Sequence, residues 1–407
     1  MINPKLIEFI FQSAFIQRWN DYPRMVEFVE LDKQAHKFII AYFLAKLEKK
    51  GSVDFSSLIE AGIFELLRRI VVTDIRPDVF RAILKKKKRE LNGWVVETLR
   101  DILCDINGGD FFKRFEEYLK NEEIYERERF ILKAASYIST RWEFSIIYQT
   151  SGFVSDIEET KKEIEEEIED YYELLGVRKI ALNKKLYHIV DLSGRLRFQK
   201  RWIQTPRIPQ TSVLGHTLVV AVLSYFYSLK IKASKKRVQN NFFAALFHDL
   251  PEALTRDIIS PVKYSVSGLD DIINEFEIQK IENEILPLIP ENIKDEFKYL
   301  LGLYDNDTKK DEFLNKIYKK EIKVVDTLSP YNDDVYNAID GVALKMCDRL
   351  SAFIEAVVSI SHGVKSSELI LGKEQILSKI KENGLINGVD FYKIAKEIEE
   401  YFLKNSS

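Results

Sequence analysis

His248 and Asp249 stand side by side in NNFFAALFHDLPEALTRDIISPVK (240–263), at the end of an apolar stretch. The pair offers an imidazole nitrogen and a carboxylate oxygen from one point of the backbone. One metal ion takes both only where other elements bring further donors. Two more donors fit the pattern: His216 in SVLGHTLVVAV, 32 residues before His248, and Asp348 in LKMCDRLSAF, 100 residues after it. Two histidines and two aspartates make a mixed nitrogen and oxygen set. Such a set suits a first-row divalent metal and leaves positions open for water.

Each of these residues alone has a plainer reading. A single histidine at a helix start commonly makes a local hydrogen bond, and a single aspartate on a helix is commonly solvated. The neighbours argue otherwise. Leu246 and Phe247 make the end at Asp249 apolar, and Met346, Leu350 and Phe353 surround Asp348 with apolar positions. Burying carboxylates there without a metal or a partner is costly. His216, His248, Asp249 and Asp348 together therefore read as a metal site. A metal held this way polarises a phosphoryl oxygen and lowers the pKa of a bound water. Glu252 and Asp257 are the nearby carboxylates for proton transfer or for orienting the substrate. The spacing predicts that Pro251 restarts a short helix that turns Glu252 toward the site. Arg201, 15 residues before His216, suits a phosphate because its planar fork donates two charge-assisted hydrogen bonds.

These residues resemble those of the HD-domain metal-dependent phosphohydrolases, and in particular the bacterial YfbR-type 5'-deoxyribonucleotidases. HDLPEALTRDIISPVKY (248–264) follows that family's HDxxExLTGDxxxPVKY nearly position by position, with Arg256 where the family has glycine. The resemblance covers roughly 195–360, with a long insertion before Asp348. It implies an all-α fold and one divalent transition metal: cobalt, manganese, nickel or iron. It also implies a nucleoside 5'-monophosphate as substrate, contacted by Arg201 and Trp202 at phosphate and sugar. Thr255 and Lys263 fall in the matched segment as further substrate-binding candidates. The insertion and Arg256 leave room for another phosphorylated compound, such as a nucleoside triphosphate or a cyclic or signalling nucleotide. A nucleotide sensor without turnover is the alternative from a different class.

The rest of the chain must position these residues. It has 407 residues, 46% hydrophobic and 31% charged, with only 16 glycines and 10 prolines. That balance predicts long helices and few turns. The net charge of −3 offers no field for a nucleic-acid backbone or an anionic membrane. Two cysteines, Cys104 and Cys347, are too few for a disulfide framework, so a reducing cytoplasm is expected. The apolar start MINPKLIEFIFQSAF reads as an amphipathic helix and not a signal peptide. No unbroken apolar run of about 18 residues predicts a membrane span. There is no GxxxxGK[ST] loop.

Apolar residues recur at helical spacing along most of the chain. RKIALNKKLYHIVDL (178–192) is the one long segment that fits a strand as well as a helix. DIEETKKEIEEEIEDYYELLG (156–176) predicts a solvated connecting helix with pairs such as Glu158–Lys162, ending at Gly176. The two halves resemble each other. FIQRWNDYPR (15–24) matches FQKRWIQTPR (198–207), and AGIFELLRRIVVTDI (61–75) matches AALFHDLPEALTRDI (244–258). LKAASYISTRWEF (132–144) matches LKMCDRLSAFIEA (344–356). His36 is paired with His216 on this reading, while Glu65, Leu66, Arg69 and Ser136 replace His248, Asp249, Glu252 and Asp348. The expectation is two tandem HD-like helical bundles: a degenerate one over 1–177 and an intact one over 178–407. The chain would then be a monomer built as an intramolecular pseudo-dimer, or a homodimer.

Overall fold

The computed structural model describes residues 2–256, 266 and 268–404. The chain separates into two compact units, Met1–Leu174 and Leu175–Ser407. Both are predominantly helical, as the composition predicts.

The first unit holds α1 (Pro4–Gln12), α2 (Glu30–Lys46), α3 (Phe55–Val72), α4 (Pro77–Leu103), α5 (Asp110–Lys120), α6 (Glu126–Thr150) and α7 (Ile157–Glu169). Its centre is α2 packed along α6, with α3 laid against α6. Helix α2 is buried over nearly its whole length, from Glu30 to Ala45. Only a helix surrounded by others can be apolar on all sides. Helix α7 stops at Glu169, not at Gly176. Its charges look outward and across, not only along the helix. Tyr148 donates to Glu158 at 2.6 Å, and Lys162 reaches Glu166 at 3.4 Å in place of Glu158.

The second unit begins with α8 (Leu175–Ala181) and α9 (Lys185–Arg195), so the ambiguous 178–192 segment is helical. Next come α10 (Val213–Lys230), α11 (Lys235–Phe247) and the single turn α12 (Glu252–Thr255). After the insertion begins come α13 (Leu269–Lys280), a π turn at Ile281–Ile285, and α14 (Lys294–Leu300). The chain closes with α15 (Gly341–Ser361), α16 (Ser367–Asn383) and α17 (Phe391–Lys404). Helix α10 is the core: α11 and α15 pack on it, and α16 and α17 cover α15. Among the described residues, α10 alone is long and apolar enough to cross a membrane, but 89% of that stretch is buried inside the unit.

The insertion also carries short strands. β1 (Leu303–Tyr304) pairs antiparallel with β2 (Lys309–Lys310). β3 (Asn315–Tyr318) sits between β4 (Ile322–Val324) and β5 (Ile339–Asp340) in an antiparallel sheet of order β4-β3-β5. β6 (Leu385–Ile386) and β7 (Val389–Asp390) form a hairpin before α17. Two glycines seat the 311–314 segment. A Cβ on Gly302 would fall 2.7 Å from the Glu312 nitrogen, and one on Gly341 would fall 2.1 Å from the Leu314 oxygen. No side chain fits either place.

Candidate metal and phosphate site

Each element of the site is placed by a local rule. Ser212 caps α10 by accepting from the Gly215 N–H, which sets His216 as the fourth residue of that helix. Helix α11 must stop at Phe247. Proline at 251 carries no N–H, and inside the helix its ring would strike the carbonyl four residues back. The chain therefore turns at His248–Asp249 and restarts as α12 with Glu252 in its first position, its N–H donating to the Asp249 carbonyl at 3.0 Å. Asp348 and Ser351 lie on α15, one turn apart.

The ligand atoms of His216, His248 and Asp249 lie within 4.8 Å of one another. His216 Nε2 is 2.9 Å from Asp348 Oδ1, so the fourth residue meets the group through His216. Both imidazoles are oriented from behind. His216 Nδ1 lies 3.0 Å from Ser351 Oγ and 3.4 Å from Glu355 Oε1. His248 Nδ1 lies 2.6 Å from the Ala245 carbonyl, which can only accept. An Nδ1–H that donates backwards leaves Nε2 as a lone-pair donor toward the cluster. Asp249 Oδ2 is buried and accepts no hydrogen bond among the described residues, with the Arg201 Nη1 cation 3.7 Å away. An orphaned buried carboxylate oxygen is costly unless something positive sits beside it. These residues fit a divalent metal.

The electrostatics agree. Burial alone would lower the pKa of His248, but Asp249 and Asp348 outweigh it and lift the imidazole to about 9. Burial also works against charge on Asp249, yet His248, His216 and Arg201 hold its pKa below the usual carboxylate range. The cluster thus stabilises positive charge at its centre.

Arg201 stands at the edge of the cluster, between Asp249 and Glu355, with Nε 3.5 Å from Glu355 Oε2. Trp202 donates its indole N–H to the same Glu355 oxygen at 3.0 Å and lies against Gly372 of α16, where a Cβ would come within 2.8 Å of the ring. Glu252 is buried. The Thr255 hydroxyl turns back onto its own backbone, donating to the Pro251 carbonyl at 3.3 Å. Asp257 and Lys263 lie outside the described residues.

Sequence reasoning passed over Glu355. It is 2% exposed, accepts from Thr211 Oγ1 at 2.8 Å, and has Arg207 Nη1 3.6 Å away. Its pKa is held below the carboxylate range: burial opposes ionisation, while Arg207, Arg201 and His216 more than offset that. Two signals pointed to it. It follows Asp348 by seven residues, two helical turns on one face, and the matching segment of the first half also carries a glutamate, Glu143. The insertion contributes Phe313, whose ring centroid is 6.2 Å from that of His248. A segment so distant from the motif gave no sequence signal.

The comparisons with known proteins fall on this unit. Residues 193–376 match the family model described as HD domain. A 5'-deoxynucleotidase of Cronobacter sakazakii is 28% identical over 197 residues, 46% of this chain and 80% of its own. That of Shewanella oneidensis is 27% identical over 153 residues, 35% of this chain and 71% of its own. The 5'-deoxynucleotidase YfbR of Escherichia coli is 30% identical over 122 residues, 29% and 60%. A solved HD-domain phosphohydrolase of Listeria innocua overlays with a TM-score of 0.39 at 18% identity, covering 54% of this chain and 97% of that one. The second unit thus carries an HD domain, and His216, His248, Asp249 and Asp348 all lie within it.

Proposed function

We propose that the second unit hydrolyses nucleoside 5'-monophosphates, with deoxy forms preferred. The observation that carries this is the convergence of His216, His248 and Asp249 within 4.8 Å, with Asp348 on His216 and Arg201 at the edge. The similarity to proteins named 5'-deoxynucleotidases supports the substrate class. A divalent cation held by His216, His248, Asp249 and Asp348 would supply Lewis-acid polarisation and a water of lowered pKa.

This chain's own residues do the rest. Arg201 binds the phosphate and offsets its charge. Glu252, buried at the head of α12, moves the proton between water and leaving group. Asp257 orients water or sugar, Trp202 shapes the sugar side, and Thr255 and Lys263 complete the substrate set. Glu355 holds His216 and Arg201 from one carboxylate, so the metal ligand and the phosphate ligand share a support. The deciding experiment is phosphate release from a panel of nucleotides with each divalent metal. Turnover of 5'-monophosphates that chelation abolishes is expected; tight nucleotide binding without turnover under every metal would make the unit a sensor.

One observation favours a second reading within the same chemistry. Phe313 stands beside His248, and the Lys345 ammonium lies 5.7 Å from the Phe313 ring centroid. Phe313 comes from the insertion and Lys345 from α15, and the wall they form suits a larger phosphorylated compound. Preferential turnover of a nucleoside triphosphate or a cyclic nucleotide in the same panel would select it.

A further inference from the structure

The first unit repeats the framework around this site in detail. Arg18 N donates to the Phe28 carbonyl at 2.8 Å as Arg201 N does to Thr211 at 3.1 Å. Gln17 bridges Val29 as Lys200 bridges Ser212. Trp19 and Trp202 share a left-handed backbone, φ 59° and 55°, as do Thr73 and Arg256 at 61° and 64°. Trp19 donates to Glu143 at 2.9 Å as Trp202 donates to Glu355 at 3.0 Å. All these pairs except the two glutamates are 183 residues apart, as Arg18 is from Arg201.

This register corrects the pairing of His36 with His216. Lys33 is the fourth residue of α2 as His216 is the fourth of α10. Lys33 Nζ lies 2.9 Å from Ser136 Oγ, as His216 Nε2 lies 2.9 Å from Asp348 Oδ1. His36 sits a turn further along, 3.3 Å from Ser139 and edge-on to Trp142. None of the four candidate ligands persists in the first unit.

The exchanges reverse the charge. In the second unit the eight positions hold Arg201, Arg207, His216, His248, Asp249, Glu252, Asp348 and Glu355: four acids against two permanent bases. In the first they hold Arg18, Arg24, Lys33, Glu65, Leu66, Arg69, Ser136 and Glu143: four bases against two acids. Of the added neighbours, Glu30 and Lys37 cancel, Asp74 takes back one charge, and Glu27 pairs with Arg24 at 3.1 Å, so the cluster with its neighbours is balanced. Glu30, Glu143 and Asp74 are engaged by Arg18 and Arg69 at 2.9–3.3 Å. Lys33, only part-buried, bonds a hydroxyl and forms no ion pair among the described residues. We infer that this cluster is an anion site: Lys33, its one cation without an ion pair among the described residues, and Arg69, on the Arg18 framework, bind a phosphate monoester without a metal. Burial and the neighbouring Arg18 hold the Lys33 pKa down to about 7, against the opposing pull of Glu30 and Glu143.

Calorimetry on the full chain, metal-stripped and kept in EDTA, tests this with inorganic phosphate and dAMP. To silence the second unit the titration is repeated on Arg201→Ala. One equivalent should bind in both proteins. Lys33→Met should weaken binding at least tenfold, Lys33→Arg should largely restore it, and turnover by the metal-loaded enzyme should stay unchanged in both. Equal affinity for phosphate and dAMP identifies a phosphate site; at least tenfold tighter dAMP identifies a nucleotide site. Should Lys33→Met fail to fold, phosphate should still protect Lys33 of the unaltered chain from acetylation, read by mass spectrometry. No binding in EDTA, binding indifferent to Lys33→Met, or acetylation indifferent to phosphate would overturn the inference. Because every arm excludes metal, it can fail while the phosphatase reading stands, and the reverse.

Discussion

Helix α3 of the first unit runs unbroken for 18 residues, Phe55–Val72, whereas its counterpart in the second unit breaks after Phe247 and restarts as α12. The difference traces to one residue, since Arg68 stands where the second unit has Pro251. The break lets His248 and Asp249 turn out of the helix toward His216. In the unbroken helix Glu65 instead pairs with Lys37 at 3.1 Å and accepts from Tyr118 at 3.1 Å, and Leu66 is buried. What survives in both units is the support, an arginine and a tryptophan held by one buried glutamate. What differs is the charge that faces this support. A framework and the chemistry it carries are separable.

The largest break in this comparison should come from Asp249→Ala. It is expected to abolish metal retention, measured by elemental analysis, and phosphate release with it. Leu66→Asp in the first unit should create neither. Full activity of Asp249→Ala would remove the metal assignment.

Arg201→Ala should keep the metal and lose about 10–150-fold in turnover, the worth of one charge-assisted contact. Arg201→Lys should recover little, because a point charge does not replace the fork. Arg18→Ala should cost stability in the first unit and leave turnover alone.

Glu355→Gln sharpens the comparison further. It is expected to weaken metal affinity about 10–100-fold by loosening His216, a loss measured by competition with a chelating dye. Glu143→Gln removes the same carboxylate from a unit without ligands. Thermal stability should fall there and metal affinity should not. Equal effects of the two substitutions would reduce Glu355 to a packing role.

The smallest effect concerns acid stability. Burial opposes ionisation of Glu30, but Arg18, Arg69 and Lys33 hold its pKa well below the usual carboxylate range. A carboxylate whose folded pKa is depressed adds stability that is complete above its unfolded pKa of about 4.3 and drains away as pH falls below it. Glu30→Gln should therefore lower stability at pH 7 and flatten the loss between about pH 4.3 and pH 2, followed by denaturant unfolding at each pH.

Much of this was legible in the sequence. The helical period announced the all-α fold, since apolar faces at that spacing can be buried only by other helices. The HD dipeptide, the proline two residues after Asp249, and His216 and Asp348 on apolar stretches pointed to the candidate ligand cluster that the fold assembles, because buried donors in apolar surroundings need a reason. The recurrence of RW-x-x-x-P-R marked two segments that share a backbone setting, with Trp19 and Trp202 both left-handed. Three things were decided only in three dimensions. The pairing of Lys33 with His216 rests on the helix start and the bridge at Val29. Sequence matching chose His36 because identity outweighed position there. Glu355 became a hub because Arg201, Trp202, Arg207, Thr211 and His216, all within 201–216, meet a carboxylate that follows His216 by 139 residues. Phe313 reached His248 because Gly302 and Gly341 admit its segment. Local spacing reports which face a residue takes within its own element. Which distant element meets that face depends on how the elements pack.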